Sequence, residues 1–120
     1  MTFSPPKDQP RPPERRRTAR FPFVADAEVA ETTSKARLNV RVTEISLYGC
    51  YLDMVNPLPV GTPVFIKIFT PTDFFEASAS VVYSHPNLGI GLTFRDVSPH
   101  FLPILQKWLL EAARANLQNP

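Results

Sequence analysis

Apolar and polar residues alternate along most of the chain between residues 24 and 95. The pattern is clearest over 36–45, where Leu38, Val40 and Val42 are separated by polar or charged neighbours. Alternation with a period of two is typical of strands that have one buried and one exposed face. Turns that contain glycine and proline interrupt this alternation. The pattern therefore predicts six short strands, at 24–29, 36–45, 50–55, 62–69, 76–84 and 88–95.

The period of the pattern changes after residue 97. Ser98 is a candidate N-cap, Pro99 suits the first helical position, and apolar residues then recur at intervals of three and four. This spacing predicts a helix over 98–118, anchored in the core by Trp108. Six strands followed by one helix predict a mainly β fold, a six-stranded antiparallel β-barrel with a C-terminal α-helix. Closure of the barrel would leave no exposed strand edge.

The first residues differ from the rest in composition. Residues 1–13 contain five prolines and only two isolated apolar side chains, so they are expected to form a flexible leader without a core. Residues 14–118 suffice for a single domain. Within it, we expect a basic arm at 14–22, the barrel at 23–96 and the helix at 98–118.

Charge is distributed unevenly along the chain. The net charge is +2 at pH 7, but six basic and two acidic residues give residues 1–20 a charge of +4, and the remaining hundred residues have −2. A protein that binds nucleic acid over its whole surface would spread positive charge more widely. We therefore expect no DNA or RNA partner, although binding through the basic arm alone stays open as a third class of function. That class would show a steep salt dependence.

Several other classes of protein are disfavoured by the sequence. No apolar run approaches the roughly 20 residues of a membrane span, and the N-terminus lacks the apolar segment of a secretory signal. The single cysteine, Cys50, fits a reducing cytoplasm, and two histidines at unrelated spacings do not indicate a metal site. No nucleophile has a recognisable base partner. We expect a cytoplasmic protein that is not an enzyme and holds no cofactor.

The first motif with candidate chemistry is E-R-R-R-T-A-R at 14–20. Arg16 and Arg20 are separated by three residues, so they could bracket a ligand from an extended segment or share one face of a helix. Guanidinium groups bind phosphate oxygens, and the O6/N7 edge of guanine, in a bidentate manner. Taken alone, the cluster is better interpreted as a solvated basic arm.

The second motif is E-I-S-L-Y-G at 44–49. Glu44 and Ser46 are two residues apart at the end of a predicted strand, so their side chains are expected to point the same way. Gly49 permits a sharp turn. A carboxylate and a hydroxyl together suit the N1–H/N2–H edge of guanine. Taken alone, however, the motif is better interpreted as a serine–glycine turn.

Two glycines and three ring side chains complete the set of candidates. Gly89 and Gly91 lie two apart in the last strand, hence on one face, and indicate close approach of a ligand, a backbone segment or the crossing leader. Tyr51 and Tyr83 suit either cross-strand packing or stacking on a base. His85 is expected to be an exposed loop residue.

Together the motifs resemble the PilZ domain family: an R-x-x-x-R before the barrel, an acid-x-S-x-x-G about two dozen residues later, and a final G-I-G-L-T-F strand. The resemblance covers residues 15 to about 115. It implies a six-stranded barrel with a C-terminal helix that is a receptor for the bacterial second messenger cyclic di-GMP. It assigns ligand contacts to Arg16, Arg20, Ser46 and Gly49, and we expect Arg15, Glu44 and Gly91 to contribute.

Two positions refine this expectation. The family usually has Asp or Asn where this chain has Glu44, and the additional methylene shifts the carboxylate by about a bond length, more than a hydrogen bond tolerates. A degenerate PilZ-like protein-interaction module that does not bind nucleotide is therefore the alternative. Family members with an arginine at the position of Arg15 tend to bind two stacked ligand molecules.

The leading hypothesis is a sensor that works by an order–disorder change. The arginine arm would be mobile without ligand and would be drawn onto the barrel by cyclic di-GMP, as one molecule or a stacked pair. The ordered arm would then present a new surface to an effector protein.

Overall fold

The computed structural model describes residues 19–118, and the predicted ligand residues Arg15 and Arg16 lie outside this range. The described residues form six strands and one helix, and the mainly β architecture is confirmed. The elements are β1 (Arg20–Glu31), β2 (Arg37–Ser46), β3 (Gly49–Asp53), β4 (Pro63–Phe69), β5 (Phe74–His85), β6 (Gly89–Asp96) and α1 (Leu102–Gln118).

The strands close into an antiparallel barrel in the order β1-β2-β3-β6-β5-β4, with β4 pairing back onto β1. Four of the six pairs join strands that follow one another along the chain. The other two, β1 with β4 and β3 with β6, join distant segments and close the ring. The prediction of a closed barrel is therefore confirmed, and every strand has two partners.

The core lies inside the barrel and beneath the helix. Inward positions of the strands are apolar and almost completely buried, which is the structural counterpart of the alternation in sequence. On α1, the apolar stripe buries Leu105 and Trp108 against the barrel. The centroid of the Trp108 ring lies 5.2 Å from the ring centroid of Phe23 and 6.2 Å from that of Phe75. Trp108 therefore anchors the helix, as the sequence predicts.

The start of the helix was predicted wrongly. α1 begins at Leu102 instead of Ser98, because residues 98–101 form a separate turn in which the Ser98 carbonyl accepts bonds from the amides of Phe101 and Leu102. Pro103 has no N–H to donate, so it is accommodated only within the first turn of a helix. A start at Leu102 places it there.

The start of the first strand was also predicted wrongly, and this boundary positions the site. β1 begins at Arg20 rather than at residue 24, so the last arginine of the basic cluster belongs to the barrel itself. Pro22 is accommodated next to a register shift between Pro22 and Ala25. Such irregularities are where a strand admits proline, which cannot donate a ladder hydrogen bond.

Candidate functional site

A pocket of about 210 Å³ opens on the outer surface of the barrel, where β1 begins and β2 ends. The ends of these two strands meet the turn into β3 and the outer faces of β5 and β6 there. The residues that line it are Arg20, Glu44, Ile45, Ser46, Tyr48, Gly49, Cys50, Tyr51, Val82, Tyr83, Gly91, Leu92 and Thr93.

This pocket brings together residues of both sequence motifs. The β1–β2 register places Arg20 opposite Ser46 and Pro22 opposite Glu44. Arg20 Nε lies 4.0 Å from Glu44 Oε1, and the two side chains are 43% and 48% exposed. Of the predicted site residues, Arg20, Glu44, Ser46, Gly49 and Gly91 line this one pocket. Arg15 and Arg16 are not described.

Ser46 is buried, and its hydroxyl builds the turn between β2 and β3. Its Oγ accepts hydrogen bonds from the backbone N–H groups of Tyr48 (3.2 Å) and Gly49 (3.1 Å), and its O–H donates to the Gly49 carbonyl (3.3 Å). This closed set of local bonds is typical of serine in turns. Ser46 therefore shapes the pocket from beneath.

Gly49 is required by the same turn. A Cβ at this position would collide with the backbone carbonyl oxygen of Leu92 on β6. Backbone atoms cannot move aside as a flexible side chain can. The glycine of the second motif therefore allows β3 and β6 to pair closely at the pocket floor.

Gly91 serves a different purpose from Gly49. A Cβ there would overlap the ring of Tyr83, which is its register partner on β5. Tyr51 on β3 is its partner on the other side. The close approach of backbone that the glycine pair predicts is confirmed at Gly89, where a Cβ would collide with the Leu52 carbonyl oxygen. Within the described residues, the group above Gly91 is instead an aromatic ring, which the sequence does not predict.

An aromatic group at the pocket consists of Tyr51, Tyr83 and His85. Tyr51 Oη and His85 Nδ1 are 2.9 Å apart, and the Tyr83 and His85 rings are nearly parallel at 6.0 Å. Burial, followed by the negative charges of Asp53 and Glu44, raises the pKa of Tyr51, so its hydroxyl remains a hydrogen-bond donor at neutral pH. His85 is exposed, as expected, but it ends β5 instead of lying in a loop.

Tyr48 lines the pocket although the sequence patterns assign it no role. Its side chain is 61% exposed, and its carbonyl accepts bonds from the Phe94 N–H (2.8 Å) and the Thr93 hydroxyl (3.3 Å). The available signal is that Tyr48 is an aromatic residue inside the turn of the second motif.

Cys50 lies in the pocket wall but is not a candidate nucleophile. Burial raises the pKa of its thiol to about 12, and only the thiolate reacts. Among residues 19–118, no cluster of histidine, cysteine and carboxylate side chains could hold a metal ion. In that same part of the chain, no helix is both long and apolar enough to cross a membrane.

The size and charge of the pocket limit what it could bind. A volume of about 210 Å³ is smaller than the roughly 300–1,000 Å³ of sites that enclose a whole small molecule. The pocket suits one planar group bordered by tyrosines, with Arg20 and Glu44 as its charged side chains. A larger anionic ligand would extend beyond the pocket and would need additional cations.

The PilZ domain family model matches residues 14–111 of the chain. No curated protein sequence matches it. Solved structures do resemble it. The PilZ domain of YcgR from Escherichia coli with c-di-GMP is 17% identical, with a TM-score of 0.69, over 87% of this chain and 95% of that one.

Two further structures share the fold. The PilZ domain of CeSA from a cellulose-synthesizing bacterium is 20% identical and has a TM-score of 0.59, over 73% of this chain and 91% of that one. The Bacillus subtilis inhibitor of motility (MotI/DgrA) is 20% identical with a TM-score of 0.69, over 88% of this chain and 53% of that protein. At these identities the similarity establishes the barrel architecture.

Proposed function

Because the chain belongs to the PilZ domain family, we propose that it is a receptor for cyclic di-GMP that binds at the pocket between Arg20 and the 46–49 turn. The observation that carries the proposal is that residues of two motifs, two dozen positions apart, line one pocket. Arg20 would bind a phosphate or the O6/N7 edge of guanine. Glu44, which borders the same position, pairs with Arg20 in the ligand-free protein. The c-di-GMP in the similar YcgR domain supports the choice of ligand.

The arginine arm supplies what the pocket lacks. A cyclic dinucleotide carries two phosphates, whereas the pocket lining contributed by residues 19–118 contains one arginine opposed by one glutamate. Arg15 and Arg16 precede the first strand by only a few residues. In our proposal these arginines close over the ligand and leave one guanine in the pocket, and the arm presents a new surface to an effector protein.

Titration of the full chain with cyclic di-GMP by isothermal calorimetry tests the proposal. We expect Arg20→Ala and Arg16→Ala each to weaken binding roughly 10- to 100-fold, because each removes charge-assisted hydrogen bonds of about 1.5–3 kcal/mol. The matched control is Arg37→Ala. Arg37 begins β2, nine residues from Ser46 or roughly 30 Å along the strand, so this variant should bind like the wild type.

Two results would reject the proposal. Wild-type affinity in both arginine variants would remove the proposed mechanism. If titration of the wild type with cyclic di-GMP released no heat and left the amide resonances unchanged, the alternative would be favoured. That alternative is a degenerate PilZ-like protein-interaction module that does not bind nucleotide. The ion pair between Arg20 and Glu44 is the specific observation in favour of that alternative, because it already occupies the guanidinium.

Arg15 determines the stoichiometry in this proposal. A third guanidinium at the pocket mouth could meet a second, stacked molecule of ligand. Calorimetry should therefore return close to two molecules of cyclic di-GMP per wild-type chain and close to one for Arg15→Ala. A ratio of one for the wild type would exclude the stacked pair and retain the receptor function.

A further inference from the structure

Glu44 occupies a central position in the pocket. On β2 it is paired with Tyr51 of β3, and on its other side with Pro22 of β1. Its carboxylate oxygen Oε1 lies 4.0 Å from Arg20 Nε. In the ligand-free protein, the guanidinium that the proposed ligand would use therefore already has an anionic partner.

We propose that Glu44 is a resident competitor of the ligand, which holds Arg20 and lowers the affinity of the pocket for anions. This inference rests on the proposed function and concerns the regulation of the same site. An incoming phosphate or guanine must displace the carboxylate from Arg20 or share the guanidinium with it. In addition, the negative charge of Glu44 opposes the approach of a ligand that carries two phosphates.

Glu44 also acts on a second pocket residue, because it lines the pocket beside its register partner Tyr51. The negative charge of Glu44 contributes, after burial and Asp53, to the raised pKa of the neighbouring Tyr51. Tyr51 also lines the pocket. The carboxylate therefore acts on two pocket residues from different strands, on Arg20 by attraction and on Tyr51 by stabilising its neutral form.

The exposure of the pair determines the size of the effect. Both side chains are nearly half exposed, and an exposed ion pair of this kind shifts an equilibrium by about fivefold at most. Glu44 therefore adjusts the affinity and does not abolish binding.

The test is the substitution Glu44→Gln, which removes the negative charge of the side chain and retains its shape. Glu44→Gln should bind cyclic di-GMP more tightly than the wild type, by up to about fivefold, in calorimetry at low ionic strength. The matched control is Glu111→Gln, which removes the same charge from an exposed position on α1 and should bind like the wild type. Because exposed pairs are screened by salt, the gain of Glu44→Gln should diminish between about 0.05 M and 0.5 M salt.

A ligand-free measurement follows the pair directly. The ¹H–¹⁵N resonance of Arg20 Nε should shift between the wild type and Glu44→Gln at low salt, and hardly at all between the wild type and Glu111→Gln. An unchanged Arg20 resonance would overturn the proposal independently of any ligand. The melting temperature of Glu44→Gln should fall by no more than a few degrees, which corresponds to the loss of one exposed ion pair and would exclude a general change of structure.

The remaining outcomes distinguish this inference from the proposed function. If the wild type binds and Glu44→Gln binds equally or less well, the competitor role is rejected and the receptor function stands. If neither protein binds, both proposals are rejected. Binding by Glu44→Gln alone would reject the receptor function of the wild type and would overturn the modest effect inferred for Glu44, because an exposed pair cannot abolish binding. A gain that does not change with salt would overturn the electrostatic mechanism.

Discussion

Two walls of the same barrel use their outward-facing positions in opposite ways. The pocket wall, at the outer ends of β2, β3 and β6, has glycine at 49 and 91 and the buried Ser46. The opposite wall, on the outer faces of β4 and β5, has the phenylalanines 65, 69 and 74, each 40–44% exposed. Inward positions are apolar and buried in both walls.

The charged side chains of the two walls also differ in how closely they are paired. On the opposite wall, Lys67 Nζ lies 3.0 Å from Glu76 Oε2 and within 6 Å of the ring centroids of Phe69 and Phe74. These side chains satisfy one another. At the pocket wall, Arg20 and Glu44 are 4.0 Å apart beside a concave surface. The buried apolar interior therefore stabilises both walls alike, whereas small outward residues on one side leave room for a ligand.

The largest effect is expected from filling the pocket wall at Gly49. A Cβ at this position would collide with the Leu92 carbonyl, so Gly49→Ala should force β3 and β6 apart. We expect a loss of about 3 kcal/mol in the free energy of unfolding, at the upper end of overpacking changes. Chemical denaturation measures it, and amide exchange should rise along β3 and β6.

Gly61→Ala is the control for this change. Gly61 has open space around its Cβ position but a φ of 92°, so alanine there should cost about 1 kcal/mol through backbone strain alone. Equal losses in the two variants would mean that conformation, and not the contact between β3 and β6, accounts for the glycine of the second motif.

The next largest effect on stability is expected from removing the Ser46 hydroxyl in the turn between β2 and β3. Ser46→Ala leaves the buried N–H of Gly49 without its acceptor and should lower the free energy of unfolding by about 1–2 kcal/mol. Ser78→Ala makes the same chemical change at an exposed position of β5, opposite Phe65. It should change stability by less than about 0.5 kcal/mol. Equal small losses in urea unfolding would contradict a structural role for Ser46.

Cys50 predicts a pH dependence of stability at the pocket wall. Burial raises its pKa from 9.0 to about 12 in the folded protein, so the folded state retains a proton that the unfolded state releases above pH 9. The stabilisation is therefore complete below pH 9, and above it is lost at about 1 kcal/mol per pH unit. Urea unfolding of the wild type between pH 8.5 and 10.5, compared with Cys50→Ala, isolates this slope. Parallel curves for the two proteins would contradict the shift.

Much of this comparison could be predicted from the sequence because it depends on local periodicity. The alternation around Val42 gives the strands and their inward faces, and the spacing that includes Trp108 gives the helix. The two motifs, with Arg20 in one and Gly49 in the other, indicate where the pocket is. Each of these signals lies within a few neighbouring residues.

The remaining features depend on contacts between distant segments. The extension of β1 back to Arg20 follows from its pairing with Ser46, which local propensity around Pro22 does not predict. The ring above Gly91 comes from Tyr83 on another strand. The ion pair of Glu44 with Arg20 likewise exists only once β1 and β2 are aligned.

The smallest effect is expected on the opposite wall. Lys67→Met retains the length of the side chain and removes a partly exposed charge whose pair with Glu76 contributes no more than about 1 kcal/mol to stability. Lys67 does not line the pocket, and at physiological salt a charge acts over about 8 Å. The affinity for cyclic di-GMP should therefore match that of the wild type, whereas Arg20→Met should bind at least tenfold more weakly. If calorimetry found equal weakening in both variants, the positive charge of the whole barrel would govern binding, and the two walls would not differ in function.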